Sequence, residues 1–596
     1  MWFLWAYIQV KILAPLLAVI QILIVSTSSL FLNNEHYPNQ AKVYDGESFD
    51  FIVIGGGSAG CVVANRLTEV GNWTVLLVEA GDDPPYVSEI PAISILLGAS
   101  FPDWNHYTVK DGVTAGGHDT GTIHQTMGKM LGGSSNINYM FYVRGNKADY
   151  DEWAAMGNRG WDWDSVLPYF KKTQRLRSDL ISRSQSFSLH GSEGYLGVTS
   201  VRDKQTKKYF DAFKEMGHDI LDDINGFEQL GYSVPSYTLD KLRQSAGFAF
   251  ITPIKDRPNL FILKNTLARK VIFDGKRAVA VEIQESKGVI KTLKATKEII
   301  LSAGAVNSPQ LLMLSGIGPK DHLEEMGVNT LFNSPDVGTN LQDHIVVPVV
   351  LTGESSTTLP ILDDLKLLNN LDRFPASTIM GHVALEKNQS FPDYQVTAFP
   401  LKRGTLLATL MCSNVFNWND QICIAMADST KQDTLFALVT LLHPKSRGKI
   451  RLKSINPKDN PRVYADHLSN KGDVKKFAQC LLDYTSVVNA KSFMKVKSKI
   501  VDLKVKQCNR KPFASTKYWE CYALNLLASQ YHVSGTCAMG TDGVVDKRLR
   551  VRGVKGLRVV DASVMPKIVS GNTYAVVLMI AEKASDMIKS DNGVSA

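Results

Sequence analysis

The amino-acid sequence predicts an α/β fold that opens on a Rossmann-like parallel sheet, and three observations carry the prediction. Phe49 to Ile54 (FDFIVI) is a short, mostly apolar run with β-branched residues that stops at three successive glycines. The glycines fall as G-x-G-x-x-G at Gly55, Gly57 and Gly60, and Cys61 to Leu67 follows with helical composition. Trp73 to Val78 is a second apolar run, closed by Glu79, 19 residues after Gly60. A strand buried on both faces reads as a continuous apolar run. The order strand, glycines, helix, strand, acidic residue is that of a dinucleotide-binding unit.

Each part of this unit has a physical task. Gly55 permits the tight turn, Gly57 lets the backbone approach a pyrophosphate, and Gly60 lets the helix pack closely on the strand. Ser58 belongs to the same cofactor-binding turn, at the helix N-terminus that receives the diphosphate. Glu79 is placed to accept hydrogen bonds from ribose hydroxyls. NAD and FAD share this half-site, so the fingerprint alone does not choose between them.

At 596 residues, 44% hydrophobic and 21% charged, the chain can bury a sizeable core and has room for two or more domains. Lys and Arg number 66 against 58 Asp and Glu, a formal +8, but the charges are scattered without a basic stripe, which argues against nucleic acid as a partner. No Cys/His cluster has zinc spacing, so no metal site is expected.

Ahead of the sheet, Lys11 is the only charge in the first 25 residues, and Ile12 to Val25 is almost wholly aliphatic. Followed by the small residues Ser26 to Ser29, this start fits a secretory signal peptide over residues 1–29, leaving a secreted chain with no stable membrane span. Its apolar length also approaches the roughly 20 residues that cross a bilayer, so an uncleaved anchor is the rival reading. Asn33 to Glu47 reads as a polar linker. The sequons at Asn72 and Asn388 and the seven cysteines agree with a secretory route. Cys508 and Cys521 flank a polar, turn-like segment and are expected to form a disulfide, worth about 3 kcal/mol at that loop length. Cys61 and Cys537 are expected as buried thiols.

Longer motifs follow. Glu79-Ala80-Gly81, Gly128 to Asn138 (GKMLGGSSNIN), Tyr142 to Gly145 (YVRG) and Asp149 to Trp153 (DYDEW) form one set. Ser302 to Gly318 (SAGAVNSPQLLMLSGIG), Val337 to His344 (VGTNLQDH), His443 to Gly448 (HPKSRG) and Tyr531 to Gly540 (YHVSGTCAMG) form another. In this order they resemble the glucose-methanol-choline (GMC) oxidoreductases, from Asp50 to Ile588 and most weakly between Val346 and Thr440.

The resemblance implies FAD as cofactor. It places Gly132, Gly133 and Ser134, a backbone-amide nest, beside the flavin's diphosphate and ribityl oxygens, and Asn138 within reach of the flavin ring. Ala268 stands where the family contacts the adenine, and Asp561 and Ala562, ending a last core strand from Leu557 to Val560, close over the cofactor. Met127 to Leu131 holds no histidine of the kind some members bond to flavin, so non-covalent FAD is expected. The implied fold is α/β plus α+β: a Rossmann-like FAD domain from residues 45–170, 233–345 and 530–590, interleaved with a substrate domain on an antiparallel sheet from 171–232 and 346–529.

The implied chemistry is oxidation of an alcohol CH–OH to a carbonyl, a base taking the hydroxyl proton while hydride passes to flavin N5. His532 matches the family's catalytic histidine, and imidazole, with an ordinary pKa of about 6.5, suits the task. Counting back from Ala581-Glu582-Lys583 puts Tyr574 where the family usually has Asn or His, a departure expected to narrow the pocket, select an unusual substrate or slow turnover. Met127 likewise replaces a basic residue. Lys171 to Tyr232 and Val346 to Cys521 are expected to wall the pocket, with Phe416 and Trp418 either lining it or in the core. The run Asn138 to Asn146 (NYMFYVRGN) and the apolar start resemble insect-type secreted members. These point to a glucose dehydrogenase-like enzyme using a quinone or other acceptor, with an ecdysone oxidase-like enzyme using oxygen as the alternative. The substrate the resemblance implies is a small alcohol of the sugar, steroid or aromatic class. A flavin-binding protein that has lost turnover is the reading from another class, motivated by Tyr574.

Overall fold

The computed structural model describes residues 2–32, 35–93, 100–354 and 371–594. Asn33 and Asn34 of the expected linker, and 355–370 of the expected substrate segment, lie outside the described residues. Helix α1 (Trp2–Phe31) comes first, then β1 (Ser48–Ile54), α2 (Ser58–Leu67) and β2 (Val75–Val78). Strand β2 starts two residues after Trp73 because Thr74 turns its amide (2.9 Å) and hydroxyl (3.1 Å) to the Asp50 carboxylate. Phe51 to Ile54 and all of β2 are buried, which is why both read as unbroken apolar runs.

Later segments complete the sheet: β3 (Leu260–Leu263), β4 (Thr266–Asp274), β5 (Arg277–Glu285), β6 (Ile290–Leu301) and, near the end of the chain, β7 (Leu557–Val559). The strand order is β3-β2-β1-β6-β5-β4, with β7 also on β6. Pairs β3–β2, β2–β1, β1–β6 and β6–β7 are parallel, whereas β4, β5 and β6 form an antiparallel meander. The parallel sheet expected from the sequence is thus one side of a mixed one, with β3 at its edge. The long β6 joins the two parts, pairing with β5 early and lying between β1 and β7 at Ile299 to Leu301.

Helix α3 (Gly304–Leu314) follows β6, α4 (Asp420–Ser429) lies in the second sheet's domain, and α5 (Tyr574–Asp591) returns to pack on α2. A buried two-pronged ion pair locks α2 to α5: Arg66 Nε and Nη2 each donate to the Glu582 carboxylate at 2.8 Å.

The second sheet has six strands in the order Ala528–Ser529, Ile345–Thr352, Thr434–Leu441, Tyr394–Leu401, Ile379–Val383 and Gly231–Ser233, every pair antiparallel. One hydrophobic core surrounds each sheet. Cys508 and Cys521 are bonded, and so are Cys412 and Cys423, a pair the sequence reading did not find. Cys61, Cys480 and Cys537 are buried free thiols.

Candidate active site

Between the two sheets lies a cavity of about 510 Å³, walled by the β1–α2 turn and Glu79 at one end and by Phe399, Met411 and Phe416 at the other. Helices α2 and α5 both present their N-termini to it, and at neither does a side chain cap the first turn. Their free N–H groups and positive ends are left for a ligand. At α3 a protein group takes that role: the Asp561 carboxylate accepts from the Gly304 amide (2.9 Å) and the Ser308 hydroxyl (2.6 Å).

The glycines have distinct surroundings. A Cβ at Gly57 would meet nothing within 4 Å, whereas one at Gly60 would lie 1.9 Å from the Gly55 carbonyl oxygen, so α2 can approach β1 only without a side chain there. A Cβ at Gly133 would stand 2.8 Å from Gly57 Cα, which brings the two glycine turns together over one volume. Glu79 is buried, its carboxylate accepting from the Gly56 and Gly81 amides, both at 2.8 Å. Burial pushes its pKa up to about 7 against those bonds. An uncapped helix end, facing glycine turns and an acceptor beyond β2 fit the diphosphate and ribose of FAD.

Of the residues read from the sequence, Gly55, Gly57, Ser58, Glu79, Gly133, Ser134, Asn138, Ala268, His532, Asp561, Ala562 and Tyr574 border the cavity. Gly60 and Gly132 stand behind it, Gly132 in the left-handed region (φ 92°) with its amide 2.6 Å from the Gly56 carbonyl. Asn138 Oδ1 accepts from the Met140 amide (3.0 Å) and Arg243 (2.8 Å), leaving its NH₂ as the group it can offer the cavity. Sequence reasoning missed Arg243, a buried guanidinium that also donates to the carbonyls of Ser88, Ser135 and Asn138. Burial lowers its pKa to about 9, so it still carries a positive charge behind Asn138 at neutral pH.

His532 follows Tyr531, a residue in the left-handed region (φ 61°) whose hydroxyl donates to the Val415 carbonyl at 3.1 Å. The His532 amide donates to Asp343 Oδ1 at 3.0 Å. Its ring Nδ1 meets His344 Nδ1 at 2.9 Å, and His344 Nε2 meets the Leu442 carbonyl at 3.0 Å. These contacts determine the tautomers. The Leu442 carbonyl only accepts, so His344 carries its proton on Nε2; burial lowers its pKa well below the ordinary range, so its Nδ1 is bare. His532 must then donate from Nδ1. Its own pKa is lowered to about 3 by burial, so Nε2 is a bare lone pair at neutral pH.

That lone pair faces Asn572, whose Nδ2 lies 3.3 Å away. Gln395 Nε2 donates to Asn572 Oδ1 at 3.1 Å, which turns the amide NH₂ toward His532. Tyr574, expected from the sequence at the second catalytic position, does not stand beside His532: its phenol donates to the Gln244 carbonyl at 3.1 Å, and the residue beside His532 is Asn572. Asn572 lies in the turn before α5, whereas Tyr574 is already the first helical residue, so their side chains leave the backbone in different directions.

The far wall comprises Phe141, Thr397, Phe399, Leu438 and, from the stretch Met411 to Asn417, Met411 and the last four residues. Phe416 lines the cavity, while Trp418 is buried behind it, stacked at 4.6 Å and donating to the Leu526 carbonyl at 3.1 Å. The Cys412–Cys423 disulfide ties this stretch to α4. The expected contribution of Lys171 to Tyr232 is corrected: among the described residues, none of that segment borders the cavity, because its strand Gly231–Ser233 is the far edge of the second sheet.

Comparison with known proteins agrees with this architecture. The N- and C-terminal sequence profiles of GMC oxidoreductases match residues 49–346 and 444–581. An ecdysone oxidase of Spodoptera littoralis is 36% identical over 94% of this chain and 95% of its own length. A glucose dehydrogenase [FAD, quinone] of Drosophila pseudoobscura pseudoobscura is 35% identical over 91% of this chain and 87% of its own. The crystal structure of pyridoxine 4-oxidase from Mesorbium loti superposes with a TM-score of 0.76 at 27% identity, over 90% of this chain and 98% of that one. The chain belongs to the GMC oxidoreductase family and is an FAD-dependent alcohol oxidoreductase.

Proposed function

We propose that the protein oxidises the carbinol carbon of a largely apolar alcohol, with His532 as the base and Asn572 as the donor that holds the substrate oxygen beside it. The observation that carries this reading is the His532 ring, held at Nδ1 by His344 and facing the cavity with Nε2 3.3 Å from the Asn572 amide. Bound FAD supplies the two-electron acceptor. His532 takes the hydroxyl proton at Nε2 while its Nδ1–H stays bonded to His344, which stabilises the imidazolium so formed. The Asn572 NH₂ holds the oxygen during that transfer.

A sugar would need polar partners along its length, but Phe141, Phe399, Met411, Val415, Phe416 and Leu438 dominate the far wall. That supports a ring-bearing apolar alcohol, in line with the ecdysone oxidase relative, over the sugar placed first from the sequence. The acceptor is oxygen or a quinone. The His532–Asn572 pair supports turnover over a flavin protein that only binds, and Tyr574, the reason for that rival, does not face His532. The apolar start, the two disulfides and the exposed Asn72 and Asn388 support entry into the secretory pathway.

The test is anaerobic addition of ecdysteroids, aromatic alcohols and glucose to the holoprotein, reading the flavin band near about 450 nm. Bleaching by the apolar alcohols, lost in His532→Ala, is expected, and readmitted air then separates oxidase from dehydrogenase. Bleaching by glucose alone would overturn the substrate class. A fully loaded protein bleached by no alcohol would overturn the catalytic reading.

A further inference from the structure

Helix α1 buries both of its glutamines and exposes most of its large apolar side chains. Its buried positions are Ala6, Gln9, Val10, Ala14, Gln21, Val25 and Ser28, one stripe with steps of three, four and seven apart from the adjacent Gln9 and Val10, and small apolar residues share that stripe with the glutamines. The stripe makes specific contacts with the protein. Thr409 Oγ1 donates to Gln9 Oε1 at 2.8 Å, Asn414 Nδ2 to Gln21 Oε1 at 3.5 Å, and the Val87 amide to Ser28 Oγ at 3.3 Å. Lys11 pairs with Asp420 at the start of α4, and Arg403 lies 4.9 Å over the Trp2 ring. Apart from Lys11 and the small residues Ser26, Thr27 and Ser29, the outward positions are mainly aliphatic and aromatic: Phe3 is 66% exposed, Leu16 53% and Leu23 57%. Fourteen of the 29 exposed large hydrophobic side chains among the described residues lie between Phe3 and Leu32. An apolar face that large on one element needs a non-aqueous partner.

We propose that α1 remains on the mature protein and lies in the surface of a lipid bilayer, docked to the protein by its buried, glutamine-bearing stripe with its aliphatic face in the acyl boundary. A removable signal has no use for a side-chain-matched stripe, whereas a lipid-facing helix that packs on protein needs one. Crossing the bilayer is excluded by the docking itself. The contacts run from Trp2 to Ser28 of a helix roughly 45 Å long, so a spanning helix would pull charged groups such as Asp420 and Arg403 into the hydrocarbon. Met411 and Asn414 line the cavity, and Asn414 touches α1, so the substrate end of the site sits one helix away from the lipid.

The experiment uses the full chain from a secretory host: the intact mass of the purified holoprotein, then flotation with phosphatidylcholine vesicles. The expected mass includes α1, and the protein floats. The outward pair Leu16→Ser and Leu23→Ser should lower vesicle partitioning by about tenfold or more, from the lost burial of two leucines, with the flavin band per protein unchanged as the check on folding. Ile20→Ser, also outward, serves if the pair fails to load flavin. A mature chain beginning after Ser29 overturns the proposal. So does a retained α1 whose partitioning ignores these variants, or a detergent-sensitive dimer that does not float, which assigns the face to a second copy.

Discussion

Replacing His344 by leucine isolates the tautomer argument, because His344 is buried and does not border the cavity. In the native protein it accepts the His532 Nδ1 proton at 2.9 Å and is itself held by the Leu442 carbonyl at 3.0 Å. Leucine leaves a buried N–H without an acceptor, at a cost of about 1–3 kcal/mol. His532 avoids that cost by moving its proton to Nε2, the nitrogen that must be bare to act as base. At 1.36 kcal/mol per decade the penalty corresponds to a fall of roughly 5- to 150-fold in the rate of flavin reduction. KM should move little, since no substrate contact is lost. His532→Ala should cost more, about 10²- to 10⁴-fold. His344→Asn should recover part of the rate, because a carboxamide oxygen can accept the same proton. The assay is anaerobic stopped-flow reduction across substrate concentrations. A His344→Leu protein with full flavin and a rate within about twofold of native, or with only KM changed, would refute the reasoning.

Asn572→Ala should slow reduction by about 10²-fold, the usual cost of removing one donor to the reacting oxygen. Tyr574→Phe should cost about 1 kcal/mol of stability through its lost bond to Gln244 and leave the rate nearly unchanged; the reverse ranking would restore Tyr574 to the second catalytic position. With the His532 pKa lowered to about 3, the base stays bare as pH falls through 6.5, so kcat/KM should stay level there and decline only well below pH 5. An acid limb near the ordinary imidazole value would contradict that burial. Glu79, raised to about 7 without cofactor, is largely protonated in mildly acidic solution, while ribose hydroxyls favour its carboxylate. FAD affinity for the apoprotein should therefore fall as pH drops below 7, by up to about tenfold per unit, and Glu79→Gln should flatten the dependence in a fluorescence titration.

The sequence alone determined the features whose cause is local. The β1–α2–β2 unit was legible because unbroken apolar runs, glycine spacing and a helical stretch each follow from backbone geometry within a few residues. The Cys508–Cys521 disulfide, 13 residues apart across a turn, is of the same kind. That His532 borders the cavity was foreseeable because its motif is contiguous. What only the tertiary structure decided depends on which side chains meet across the fold. Asn572 and Tyr574 stand two residues apart where a turn becomes a helix, so counting from the helix could not tell which faces His532. Contacts from His532 and from Gln395, on a strand of the other sheet, settle it. The same holds for His344, Arg243 and the bond between Cys412 and Cys423: each is unremarkable in its own segment and gains its role from a partner brought by folding. The stripe on α1 shows the limit most plainly, since an apolar helix looks alike in sequence whether it faces protein, lipid or a peptidase. Its glutamines acquire meaning only against Thr409 and Asn414, because a buried polar group must find a partner and only the fold supplies one.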